Sequence, residues 1–165
     1  MQRFRLASRA AGAIARFALV GISLGLVAMA LGGTPAAAQG ASLPGLGGGQ
    51  LGAADLAQGT HIIVVWASWS PRCRDIAPRI NELTQQLAGQ GRVVTVNFQE
   101  ETPAIEDFVR QHPINAPIFL DRDGEFSKGH AVTTLPGLIV VRKGEVLFQG
   151  RLAADAATQI QELLR

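Results

Sequence analysis

A buried strand that leads directly into a helix constrains this chain more than any other stretch. Ile62 to Trp66 is a run of five apolar residues, typical of a strand buried on both faces. After a short turn from Ala67 to Trp69, Pro71 stands in the first turn of a predicted helix, where its missing N–H costs no hydrogen bond. Free N–H groups at such a helix start stabilise a thiolate, and the only cysteine of the sequence, Cys73, lies there.

The first 38 residues differ in composition from the rest and predict a secretory signal peptide. A basic start without acidic residues precedes the apolar run from Phe17 to Leu31, and three alanines end at Ala38, where we expect cleavage. The alternative is an uncleaved anchor, because the apolar run and its flanking small residues nearly span a thin bilayer. The sequence therefore predicts a periplasmic or secreted protein, tethered to the inner membrane only if the leader is retained.

The leader also explains the basic balance of the whole chain. It holds four of the 15 Lys and Arg residues and none of the 13 Asp and Glu residues, which leaves eleven basic against thirteen acidic residues and a net charge of −2 beyond it. Nucleic acid and anionic membrane surfaces are therefore not expected partners of the folded part. A single cysteine cannot form an internal disulfide, so any disulfide must join another molecule.

The domain organisation follows from composition. Gly40 to Gly52 is rich in glycine and carries no charge, so residues 39–59 are predicted to be a flexible spacer. Residues 60–165 are then a single domain of ordinary size.

The pattern after the first strand alternates helices with strands. The predicted elements are a helix from Pro71 to Ala88 kinked at Pro78, a strand from Val93 to Phe98, a helix capped by Thr102, a strand from Pro117 to Leu120, a helical segment from Glu125 to His130, a hairpin of Leu138 to Arg142 with Val146 to Gln149, and a helix from Ala153 to Leu164. This order predicts an α/β fold with a mixed central sheet flanked by helices.

The strand, the turn ending in Trp69 and the sequence Ser-Pro-Arg-Cys at the helix start resemble the active-site segment of the thioredoxin superfamily, which carries Trp-Cys-x-x-Cys there. The strand and helical segment between Pro117 and Ala131 resemble the insertion of its exported TlpA/ResA-like branch. The resemblance implies a thioredoxin fold, a place in the thiol–disulfide oxidoreductase family, a protein or peptide thiol or disulfide as partner, and no cofactor. The N-terminal strands of that branch have no evident counterpart in Gly40 to Gly59.

The resemblance places Ser70 at the nucleophilic cysteine and Cys73 at the resolving cysteine. Serine cannot form a disulfide, so dithiol turnover within the chain is excluded. Val64 replaces the buried acid that thioredoxins often use as a proton acceptor.

Three interpretations of Cys73 stay open: an inert buried side chain, a single thiol that forms mixed disulfides, and a metal ligand. Metal binding is the weakest, because none of the three histidines lies at ligand spacing from the thiol.

Pro136 is the second landmark of the resemblance. The family has a cis-proline opposite the motif, preceded by a residue whose backbone pairs with a substrate peptide, and Leu135-Pro136 before a strand fits that position. A trans proline at an edge strand is the alternative. The implied peptide groove has Trp69 and Pro71 on one side and Leu135 and Pro136 on the other. Two functions follow: monothiol chemistry at Cys73, or a non-catalytic module that binds a peptide or partner redox protein.

Overall fold

The computed structural model describes residues 42–165, so the predicted signal peptide lies outside the described residues. In chain order the elements are β1 (Leu43–Pro44), β2 (Gln50–Leu51), α1 (Ala53–Leu56), β3 (Thr60–Trp66), a 3-10 helix (Pro71–Cys73), α2 (Ile76–Gln86), β4 (Arg92–Phe98), α3 (Thr102–Gln111), β5 (Ile118–Asp121), α4 (Glu125–Gly129), β6 (Gly137–Arg142), β7 (Glu145–Arg151) and α5 (Ala156–Leu164). Within this part of the chain no helix has the length and apolar character needed to cross a bilayer.

Five strands form the central sheet in the order β5-β4-β3-β6-β7. Strand β3 lies in the middle, parallel to β4 and antiparallel to β6. Its residues from Ile62 to Trp66 are fully buried, as expected for an apolar run that needs cover on both faces. The predicted fold class, a mixed sheet flanked by helices, is confirmed.

The two faces of the sheet belong to separate cores, and alternate residues of β3 enter each of them. The first core contains Trp66 together with Ile80 of α2 and Ile160 of α5. Helix α3 joins it through Phe108, whose ring centroid lies 5.0 Å from that of Trp66. The second core packs Ile63 and its neighbours against the residues that precede β3 and against α4.

Residues 42–59 are folded against this second core, and the prediction of a flexible spacer without strands was wrong for them. Leu43 pairs with Leu51 in the antiparallel hairpin of β1 and β2, and both side chains are buried. The strands are too short to show a periodic pattern in the sequence. Gly48 and Gly49 have positive φ angles, so the glycine that indicated flexibility instead permits a tight turn.

The turn after β1 also runs along one edge of the central sheet. The N–H of Leu46 donates to the carbonyl oxygen of Ile118 at 2.8 Å, and Gly45 forms a bridge with Phe119. A Cβ atom on Gly45 would collide with the carbonyl oxygen of Gly48, so this close approach requires glycine. The N-terminal segment is therefore part of the domain.

The helix predicted from Pro71 to Ala88 is divided into two pieces. The 3-10 helix ends at Cys73, and α2 begins at Ile76 with Pro78 in its first turn. Pro78 lacks a donor N–H and is tolerated only near a helix start, so it marks a new helix and not a kink within one. The predicted cap of α3 is wrong by one residue, because Glu101 is the N-cap and Thr102 begins the helix.

Candidate functional site

A groove of about 500 Å³ opens beside the 3-10 helix, at the end of the sheet where β3 and β4 finish. It is lined by Trp69, Ser70, Pro71, Arg72, Phe98, Ser127, Val132, Thr133, Thr134 and Leu135. Trp69 is 58% exposed, more than any other large hydrophobic side chain described. Only one of the lining residues, Arg72, carries a charge, so the groove is an apolar channel with a basic group and several hydroxyls.

Three of the four residues predicted to contact a peptide line this groove. They are Trp69, Pro71 and Leu135. Pro136 is buried behind Leu135, its carbonyl oxygen accepts the N–H of Leu152 at 3.0 Å, and the peptide bond that joins it to Leu135 is cis. The backbone N–H and C=O of Leu135 make no hydrogen bond to another residue of 42–165.

Cys73 lies beneath the groove and takes no part in its lining. Its side chain is 1% exposed and packs in the first core with Trp66 and Ile76. Its N–H donates to the carbonyl oxygen of Ser70 at 2.9 Å, which places the two residues one turn apart. Ser70 is only 6% exposed but lines the groove, whereas Cys73 does not. Of the three interpretations of Cys73, this burial favours the inert side chain.

A buried carboxylate behind the turn of Trp69 was missed by the sequence reasoning. Glu100 is 8% exposed, and its Oε2 accepts from the N–H of Ser68 at 2.7 Å and from Nδ2 of Asn97 at 2.6 Å. The hydroxyl of Ser68 donates to Oε1. The available signal was topological: Ser68 follows β3, Glu100 follows β4, and adjacent parallel strands end at the same edge of a sheet. Val64, which the resemblance places at the position of the buried acid, is a core residue.

A second carboxylate holds the opposite wall of the groove. Asp121, fully buried at the end of β5, accepts from the N–H of Phe126 at 3.1 Å and of Ser127 at 2.9 Å. These bonds fix the start of α4 and the position of Ser127 in the lining. The His130 ring packs against Phe126 with the centroids 4.5 Å apart and the planes tilted by 50°. Burial lowers the pKa of its imidazole, although the nearby Asp121 acts in the opposite direction.

The arrangement is suited to binding. It offers an exposed indole, an apolar wall and free backbone groups, which together match an extended polypeptide. The one thiol of the chain is covered. The hydroxyl of Ser70, which lines the groove, makes no hydrogen bond to a histidine or carboxylate within residues 42–165. Within the same part of the chain no three His, Cys, Asp or Glu side chains lie close enough to hold a metal ion.

Comparison with known proteins gives consistent results. A family model described as Redoxin matches residues 33–161. Thiol-disulfide oxidoreductase ResA of Bacillus thuringiensis subsp. konkukian is 26% identical over 101 residues, which cover 61% of this chain and 58% of that protein. Sporulation thiol-disulfide oxidoreductase A of Bacillus subtilis is 27% identical over 106 residues, covering 61% of this chain and 64% of that protein. The chain thus matches less than two thirds of the length of these curated relatives.

Solved structures share the fold. A putative thiol:disulfide interchange protein DsbE from Chlorobium tepidum has a TM-score of 0.67 and 28% identity, covering 78% of this chain and 95% of that one. StoA from Bacillus subtilis has a TM-score of 0.61, covering 76% of this chain and 96% of that one, and at 23% identity it supports the fold alone. The predicted resemblance to ResA-like members of the thioredoxin superfamily is confirmed.

Proposed function

The chain belongs to the Redoxin family, and from this premise we propose that it is a binding module without a dithiol redox cycle. It holds an extended segment of a partner protein in the groove between Trp69 and Leu135. The observation that carries the proposal is a contrast in exposure: Trp69 is 58% exposed and Cys73 is 1% exposed. The surface that would hold a partner is open, while the sulfur that would react with one is covered.

The backbone of Leu135 supports a polypeptide as the ligand. Its N–H and C=O have no partner within residues 42–165, and the backbone of an extended peptide could pair with both groups. Trp69 lines the same groove and would supply a large apolar contact, and exposed aromatic side chains commonly anchor protein interfaces. Backbone pairing would give affinity, and the apolar lining would select the side chains.

The loss of redox turnover follows from the residue at the nucleophile position. The resemblance assigns that position to Ser70, whose hydroxyl does not ionise at physiological pH and cannot exchange with a disulfide. The relatives are named thiol-disulfide oxidoreductases. These names favour a protein that bears thiols or a disulfide as the partner of this chain.

Trp69→Ala is expected to weaken peptide binding by about tenfold or more, because truncating an exposed aromatic anchor removes the largest contact of an interface. Peptides selected from a random display library on the native protein serve as probes, with affinity measured by calorimetry. Leu163→Ala is the matched control, since Leu163 is also exposed, at 38%, but lies on α5 outside the groove lining. Cys73→Ala is expected to bind as the native chain does. Equal affinity of Trp69→Ala and native protein would contradict the proposal.

Monothiol chemistry at Cys73 is the second candidate function, and the names of the relatives favour it. In that reaction the Cys73 thiolate attacks one sulfur of a partner disulfide. A bond forms between the two sulfurs, the partner's S–S bond breaks, and the other sulfur leaves as a thiolate with the electron pair. Release then needs an external thiol, because the chain has no second cysteine. The reaction requires access to a side chain that is buried in the structure.

Export is part of the proposal, and the composition of residues 1–38 supports it. Expressed as the full chain in a Gram-negative host, the protein is expected in the periplasmic fraction with Gln39 as its first residue. N-terminal sequencing and intact mass measure this. A product that keeps Met1 and sediments with the inner membrane would overturn cleavage and favour the anchor.

A further inference from the structure

We propose that Glu100 is a positioning residue of the groove: its carboxylate sets the conformation of the turn from Ala67 to Ser70 and thereby the place of Trp69. The inference rests on the proposed function, because the position of Trp69 matters only if a partner contacts it. Glu100 itself is absent from the groove lining, so it acts through Ser68 and not by touching the ligand.

The turn is held by few other contacts. Within the turn, the N–H of Ser70 donates to the carbonyl oxygen of Ala67 at 3.2 Å, which is a long bond. Glu100 adds two bonds to Ser68, one from the backbone N–H and one from the hydroxyl. Because Ser68 directly precedes Trp69, fixing its N–H and its side chain restricts the backbone that orients the indole.

The far side of the same carboxylate is tied to the sheet. Nδ2 of Asn97 donates to Oε2 at 2.6 Å, and Asn97 is a buried residue of β4 that pairs with Trp66 of β3. Glu100 therefore connects the turn that carries Trp69 to the central sheet. Because the backbone that carries Trp69 is already fixed, the side chain loses little conformational entropy when a partner binds, and this favours binding.

Within residues 42–165 the carboxylate of Glu100 is stabilised by hydrogen-bond donors and not by an ion pair. No lysine or arginine of residues 42–165 lies within 4.0 Å of it in an ion pair, so a carboxylate that is 8% exposed depends on three hydrogen bonds to offset its loss of water. Removing it leaves the N–H of Ser68 and the amide of Asn97 without an acceptor. A glutamine can keep all three contacts, because its oxygen can take the place of Oε2 and its NH₂ group can donate to the Ser68 hydroxyl.

These differences give a test in which the two tryptophans of the chain report separately. The protein is labelled with 5-fluorotryptophan, which gives one ¹⁹F resonance for Trp66 in the core and one for Trp69 at the groove, assigned with Trp69→Phe. Glu100→Ala is expected to shift and broaden the Trp69 resonance, leave the Trp66 resonance in place, and weaken binding of the display-selected peptides by about tenfold, the equivalent of about 1.4 kcal/mol. Glu100→Gln is expected to restore the native spectrum and affinity.

Two further variants keep the test decisive. Ser68→Ala removes one bond to the carboxylate and leaves the buried donors paired, so it folds even if Glu100→Ala does not, and it is expected to move the Trp69 resonance in the same direction. Glu101→Ala is the matched control, because its side chain is 84% exposed next to Glu100 and contacts Arg122 instead. If Glu100→Ala and Ser68→Ala bind as the native protein does with an unmoved Trp69 resonance, the inference is overturned. If no peptide binds the native protein but the Trp69 resonance still moves, the proposed function fails and the positioning role stands.

Discussion

Ser70→Cys is expected to form an internal disulfide that the native sequence cannot form. The N–H of Cys73 donates to the carbonyl oxygen of residue 70 at 2.9 Å, so the two side chains start from backbone positions one turn apart. With oxidised glutathione the two thiols lose two protons and two electrons and one S–S bond forms between them. The S–S bond of the oxidant breaks, and it leaves as two molecules of reduced glutathione. Intact mass before and after oxidation, followed by peptide mapping, measures this bond.

The same variant is expected to reduce a test disulfide. With dithiothreitol as the electron donor and insulin as the substrate, we expect Ser70→Cys to precipitate insulin at least about tenfold faster than the native chain, whose rate equals that of dithiothreitol alone. The gain arises because the new thiol faces the groove and Cys73 beneath it resolves the mixed disulfide.

The matched control is Ser68→Cys, which adds a thiol to the same turn without the one-turn spacing to Cys73. We expect it to stay at the native rate. A Ser70→Cys protein that folds but neither forms the bond nor accelerates insulin reduction would contradict the arrangement of these two residues, whatever the groove binds.

Cys73 of the native protein is expected to react with iodoacetamide at least about 10³-fold more slowly when folded than when unfolded. A side chain that is 1% exposed in the core reacts only through an opening of the domain, and such openings cost several kcal/mol in an ordinary stable protein. Mass spectrometry of samples quenched over time gives both rates, with the unfolded rate taken in urea and corrected for the denaturant.

Ser70→Cys combined with Cys73→Ala supplies the comparison, because it too has a single thiol but carries it at the groove. We expect that thiol to react much faster than Cys73 in the native fold. If Cys73 instead reacts within about tenfold of its unfolded rate, the sulfur is reached by opening of the 3-10 helix. Monothiol chemistry then becomes the better proposal.

Much of the fold could be predicted because the longest helices and strands have a recognisable apolar pattern in the sequence. The apolar run of β3 identified the central strand to within two residues, since a strand covered on both faces has few alternatives. The hairpin of β1 and β2 could not be predicted in this way. Two residues per strand give no period, and the burial of Leu43 and Leu51 depends on a surface made by distant parts of the chain.

The same distinction applies to the residues of the candidate site. Trp69, Ser70 and Leu135 were predicted because a resemblance fixes their positions in the chain, and the structure brings them to one groove. Glu100 could not be predicted, because Gln99-Glu100-Glu101 looks like an ordinary polar loop and only the middle residue turns inward. What makes it part of the site is the meeting of two strand ends, which is a property of the sheet and not of the local sequence.

The bridge between the N-terminal segment and β5 has a consequence for solubility. A strand at the edge of a sheet presents unpaired backbone groups that can recruit another copy and start aggregation. Gly45 and Leu46 occupy part of that edge at β5. At the opposite edge, β7 carries Glu145 and Arg151 at its two ends and is distorted by the irregular pairing with β6, which also discourages such pairing. The glycine-rich segment therefore leaves less of the β5 edge open to pairing with a second copy.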